Sequence, residues 1–117
     1  VTDTSFADFV LEQLRSLRGV AARRMFGGVG LYRQAVMFGV IFGDELFLKV
    51  GDDNRSAYEA AGSRPFVYSA RGRKVSLSYW RVPEDVLEDA DVLAAWATRA
   101  HAVAVNAAKA KTRKRKR

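Results

Sequence analysis

The sequence predicts an α+β domain: a mainly antiparallel sheet of about five strands, with N-terminal and C-terminal helices packed on it. Three observations carry that reading. Apolar residues recur at helical spacing near both ends of the chain. Between them lie short apolar runs separated by turn residues. At 117 residues and 49% hydrophobic content, with no internal repeat and no interdomain linker, the chain holds one domain able to bury a substantial core.

In "TSFADFVLEQLRSLRG", Phe6, Phe9, Val10, Leu14 and Leu17 recur at three and four residues. Ser5 with Asp8 forms a capping box and Gly19 supplies the stop, so an amphipathic helix is expected there. From Met25 to Val50 come "MFGGVGLY", "VMFGVIF" and "ELFLKV", joined around Arg33 to Ala35 and at Gly43-Asp44. They predict an antiparallel meander across Arg24 to Val50. The middle run is apolar at nearly every position, as expected of a strand covered on both faces or hidden at an interface. "GDDNRSAYEAAGSRP" interrupts the sheet with a short helix before Gly62 and Pro65. A second hairpin follows, "PFVYSA" and "KVSLSYW" about the turn "RGR", where Val75, Leu77 and Tyr79 alternate with Ser76 and Ser78. Pro83, Glu84 and Asp85 then open a last helix, on which Val86, Leu93, Trp96, Ala100 and Val103 form one stripe facing the sheet.

Charge is distributed unevenly. The net charge is +7, and the final "KAKTRKRKR" holds seven of the twenty cations: Lys109, Lys111, Arg113, Lys114, Arg115, Lys116 and Arg117. The remaining thirteen face thirteen carboxylates, so residues 1–108 form a neutral body. A like-charge block repels itself and adds nothing to a core, which predicts a disordered basic tail at 109–117. Cysteine is absent, which excludes disulfides and thiolate chemistry and suits a reducing cytoplasm. Asp3 stands where a signal peptide would be basic, and no apolar run approaches the roughly 20 residues that span a bilayer. The expected protein is soluble and cytoplasmic, with no membrane partner.

Little in the chain invites catalysis. The glycines of "GGVG", Gly27, Gly28 and Gly30, would cradle phosphate only between a strand and a helix start, yet strand-like "LYRQAVMF" follows. They read instead as a bulge, a bend or a close approach. His101 has no second histidine or carboxylate three or four residues on, so it reads as a solvated or partly packed side chain and not a metal ligand. No serine occupies a nucleophile elbow, and the carboxylates of "GDDN" and "EDVLEDAD" are explained by capping. Lys49 could serve as a functional cation, but an edge or solvent-facing lysine accounts for it. Trp80 falls opposite Tyr79 in the strand alternation. With Arg71, Arg73 and Lys74 at the hairpin turn, an exposed Trp80 would make the one aromatic-basic cluster in the body.

The run "RRMFGGVGLYRQAVMFGVIFGDELFLKV", followed by "PFVYSARGRKVSLSYWRVPEDVLED" and a helix with "LAAWATRA", resembles the TfoX/Sxy N-terminal domain family from the first helix to about Val105. The most specific parts are Arg24, Met25, Phe26, Gly27 and Gly28, then Leu48, Lys49 and Val50, then Tyr79 with Val82 and Pro83. The resemblance implies a small α+β domain with an antiparallel sheet, with no catalytic residue and no cofactor to carry over. Two-domain members are regulators of natural competence, acting with a cyclic-AMP-responsive transcription activator at promoters of DNA-uptake genes. They continue into a helical domain where this chain has "KAKTRKRKR", which implies a stand-alone N-terminal domain.

Residues and resemblance together lead us to expect a non-enzymatic regulatory or adaptor module. Its body would bind a protein partner such as a transcription regulator, as monomer or homodimer, while the tail adds weak non-specific nucleic-acid affinity. The rival is direct nucleic-acid binding by hairpin and tail together; a small enzyme would need a carboxylate pair or ligand pocket.

Overall fold

The computed structural model describes residues 5–25, 27–70 and 72–115. Its elements run α1 (Ser5–Gln13), β1 (Val20–Met25), β2 (Gly28–Arg33), β3 (Val36–Phe42), β4 (Glu45–Lys49), α2 (Arg55–Ala60), β5 (Pro65–Ala70), β6 (Arg73–Arg81), α3 (Glu84–Glu88) and α4 (Ala90–Arg115). The six strands form one antiparallel sheet in the order β1-β2-β3-β4-β6-β5. The class is α+β as expected, with six strands in place of five.

The additional strand is β1. Its sequence, Val-Ala-Ala-Arg-Arg-Met, lacks the alternation that marks a half-buried strand, because β1 lies at the sheet edge with Ala21, Ala22, Arg23 and Arg24 all exposed. The meander β2-β3-β4 follows the expected course, and "GGVG" enters a strand at Gly28 with no helix beginning there. A Cβ on Gly28 would lie 2.5 Å from the Ile41 carbonyl oxygen and 2.6 Å from the Phe42 ring, so this position has room only for glycine. The β2-β3 turn is made by Gln34 and Ala35, both left-handed at φ 53° and 64°, between the paired residues Arg33 and Val36. Such a two-residue turn matches sheet twist, though without the glycine that usually relieves it.

The uninterrupted apolar character of β3 has a geometric cause. Leu31 pairs with Gly39 and Tyr32 with Met37, so Phe38 is an extra, unpaired residue in a bulge. The bulge shifts the phase of the strand. Val36, Phe38 and Ile41 join the main core, while Met37, Val40 and Phe42 line the opposite face.

All four helices contribute to that one core. Val10 and Leu14 of the N-terminal segment, Tyr58 of α2, Val86 of α3, and Leu93, Ala97, Ala100 and Ala104 of α4 pack with Leu31, Phe38, Leu46, Leu48 and Val82 of the sheet side. The result is two layers, helices on one face and, on the other, a sheet face that no element among the described residues covers. α1 is shorter than its periodicity suggests; after Gln13 the chain tightens into turns, with Leu17 N–H donating to the Leu14 carbonyl, before Gly19 ends the segment at φ 82°.

Two expectations about the C-terminal region need correction. The last helix is two helices, broken at Asp89 (φ −106°, ψ 102°), whose carboxylate accepts from the Val92 N–H and caps α4. The segment expected to be disordered from Lys109 is helical through Arg115. Alanine, lysine and arginine are strong helix formers, and cations at a helix C-terminus complement its dipole, which offsets their mutual repulsion.

Trp96 flanks the buried alanine stripe and is half-buried, its ring edge-on to Tyr58 at 4.6 Å. Trp96→Ala should therefore cost about 2 kcal/mol, below the range for a fully buried tryptophan. A urea denaturation midpoint that does not move in this variant would show that α4 does not rely on it.

Candidate functional site

The uncovered face of the sheet follows from strand register. Ala21, Arg23 and Met25 of β1 pair with Tyr32, Gly30 and Gly28; Tyr32 pairs with Met37, Val40 with Phe47, Phe47 with Arg81, and Lys49 with Tyr79. These side chains share the face away from the helices. Val40 and Phe47 are nonetheless buried, because their neighbours fold over them. Phe66 stacks on Phe42 at 5.0 Å and meets Phe47 edge-on at 4.9 Å. Met25, Met37, Phe42, Phe66, Tyr32 and Tyr79 remain half-buried, so a methionine-aromatic surface faces outward.

Cations frame this surface. The Arg23 guanidinium lies 5.6 Å from the Tyr32 ring centroid, and the Lys49 ammonium 5.2 Å from that of Tyr79. Of the two expected placements, edge or solvent-facing, Lys49 takes the second: β4 is an interior strand, and the half-buried side chain lies on the uncovered face with its ammonium over Tyr79. It donates to Ser78 Oγ at 2.6 Å. Burial first, and then the Lys111 ammonium on α4, hold Lys49 below the usual lysine range. Burial, with Tyr32 a lesser influence, pushes the Tyr79 phenol up to about 12. Glu45, at the other end of the face, is engaged by Arg81 at 2.5 Å and Arg64 at 3.3 Å.

Other candidate residues are dispersed. Trp80 pairs with Leu48 on the helical side and packs against the core, with Tyr58 at 6.3 Å, so it is not the exposed platform that a base would stack on. Arg73 and Lys74 begin β6 opposite Ala70 and Ser69, while Arg71 lies outside the described residues. Lys109 and Lys111 are exposed on α4, Arg113, Lys114 and Arg115 occupy its last turn, and Lys116 and Arg117 lie outside the described residues, as does Phe26 of the family motif. Arg24 is exposed on β1, and Pro83 stands at the N-terminus of α3.

Two polar residues have structural roles. His101 is buried, edge-on to Phe38 at 6.0 Å, with Nε2 donating to the Arg33 carbonyl at 2.8 Å. It thereby ties α4 to the end of β2. Asn54 is buried too; its Oδ1 accepts from Gly51 N–H at 2.8 Å and its Nδ2 donates to the Lys49 carbonyl at 3.1 Å, which fixes the chain leaving β4. Among the described residues no three histidine or carboxylate side chains could hold a metal ion. No described helix is long and apolar enough to cross a membrane.

Such an arrangement suits binding. Its principal carboxylate is already paired, its polar groups do not converge, and its exposed features are apolar surface and cations. Sequence reasoning missed Arg23, since β1 was not read as a strand. The signal was present in the charge pattern: Arg15, Arg18, Arg23, Arg24 and Arg33 fall between Gln13 and Gly43, a segment without a single Asp or Glu.

No curated protein matches the chain. The family model for the TfoX N-terminal domain matches residues 12–104, which takes in the whole sheet and most of the helical layer. The chain thus belongs to the TfoX N-terminal domain family, a family of regulatory domains.

Proposed function

We propose that this protein is a non-enzymatic regulatory adaptor of the competence-regulator type. The folded domain docks a protein partner, a transcription regulator, and the basic end of α4 contributes weak, sequence-independent affinity for nucleic acid. The observation that carries this reading is the uncovered face of the sheet. Its methionines and aromatics supply the adaptable apolar surface that protein interfaces favour, while Trp80, on which a base-stacking role would rest, is packed toward the helices.

A photo-crosslinking amino acid at Met37, on the uncovered face, and at Glu88, exposed on α3, tests the reading in the source cell. The expected result is a discrete protein adduct from position 37, stable to nuclease, identified by mass spectrometry as a transcription regulator and absent from position 88. An adduct at position 37 that nuclease removes would favour direct nucleic-acid binding. The absence of any protein adduct at position 37 would count against the adaptor.

A further inference from the structure

We propose that the free edge of β1 is a docking strand for an extended acidic segment of the partner protein, added to the sheet by main-chain pairing. The proposal rests on the adaptor reading and gives the partner its chemistry.

β1 ends the sheet and, among the described residues, pairs only with β2, through six consecutive residues without a bulge. Among the described residues no backbone hydrogen bond reaches its outer side. Proteins commonly blunt such an edge with proline, a bulge, a covering loop or charge. Among the described residues only charge is present here, and on β1 it is all positive. Arg23 points to the uncovered face and Arg24 to the opposite one, because side chains alternate along a strand. Both are exposed, and neither forms an ion pair among the described residues. Arg18 and Arg33 lie nearby, the Arg33 Nε donating to the Arg18 carbonyl at 2.9 Å.

The charge selects the occupant. A second copy of this chain pairing antiparallel through β1 would bring Arg23 and Arg24 of both copies within reach of one another, and like charges across a ladder are destabilising. An acidic strand gains where the copy loses. Because the two arginines are consecutive, the complementary strand carries consecutive carboxylates, one for each face. Beside Arg23 a shallow cavity of about 240 Å³, lined by Gly19, Ala21, Arg23, Tyr32, Gln34 and Ala35, can take one side chain of the added strand. Main-chain pairing supplies affinity in this mode, and pockets for alternate side chains supply specificity. Ala21 and Ala22 keep the edge sterically open.

The test uses the full chain, isotopically labelled for NMR, and a blocked peptide of sequence Thr-Val-Glu-Glu-Val-Thr. Amide shifts should concentrate at residues 21–24, with intermolecular backbone contacts to the peptide. The charge-reversed variant Arg23→Glu/Arg24→Glu should keep its melting temperature and weaken binding roughly tenfold or more. A peptide N-methylated at alternate amides keeps its charge but loses strand pairing, and should not bind. Three results would each overturn the proposal: no β1 shifts at millimolar peptide, equal binding of the N-methylated peptide, or oligothymidylate shifting the β1 amides at lower concentration than the peptide. Crosslinking from position 37 reads protein docking independently, so a protein adduct there without a peptide response at β1 would discard the edge site and keep the adaptor.

Discussion

Phe38→Ala should lower the stability of the domain by about 3–5 kcal/mol, the range for truncating a fully buried phenylalanine. Phe38 has no exposed surface and sits in the bulge of β3, where the strand turns an extra residue into the core. Its ring meets His101 edge-on, and His101 in turn holds the Arg33 carbonyl. The cavity left by alanine would therefore open beside the contact that ties α4 to the β2-β3 turn, and the neighbours cannot close it without breaking that contact. In a domain of this size such a loss should lower the melting temperature by roughly 10 °C or more. A shift of only a degree or two would mean that the bulge does not fix the packing of α4 on the sheet.

The sequence disclosed most where burial and period agree. The alternation about Val75 to Tyr79 and the apolar meander from Met25 to Val50 both became strands, and α4 docks on the sheet, though through Leu93, Ala97, Ala100 and Ala104, with Trp96 and Val103 of the predicted stripe only half-buried at its flank. Trp80 misled for a physical reason. Alternation tells that Tyr79 and Trp80 lie on opposite faces but not which face the helices cover, and in a sheet with apolar side chains on both faces the pattern is symmetric. β1 escaped notice because an edge strand exposed along most of its length has no hydrophobic period to show. The break at Asp89 depends on one carboxylate capping the next helix, a choice between two acidic residues at a helix start that composition does not make. The uncovered face was foreshadowed only by the excess of apolar residues in β3, and the arginine edge only by the missing carboxylates between Gln13 and Gly43.

The central claim, that the folded body addresses a protein while nucleic acid is met only through the basic end of α4, is tested most directly by duplex-DNA binding before and after deletion of residues 109–117. Deletion removes seven cations and leaves a neutral body. Each phosphate contact adds about −0.9 to the slope of log K against log salt, so seven engaged cations would give a slope near −6. A helix presents only part of its circumference to a duplex, and with about half of the cations engaged the slope should be roughly −3. Binding by the whole chain should be weak and indifferent to sequence, since charge reads phosphates and not base edges. Fluorescence anisotropy across a salt series, on the whole chain and on the chain ending at Ala108, is the measurement. Complete loss of binding on deletion, with melting unchanged to within about 2 °C, is the predicted result; sequence-selective binding that survives deletion and falls in an Arg73→Ala/Lys74→Ala variant would contradict it.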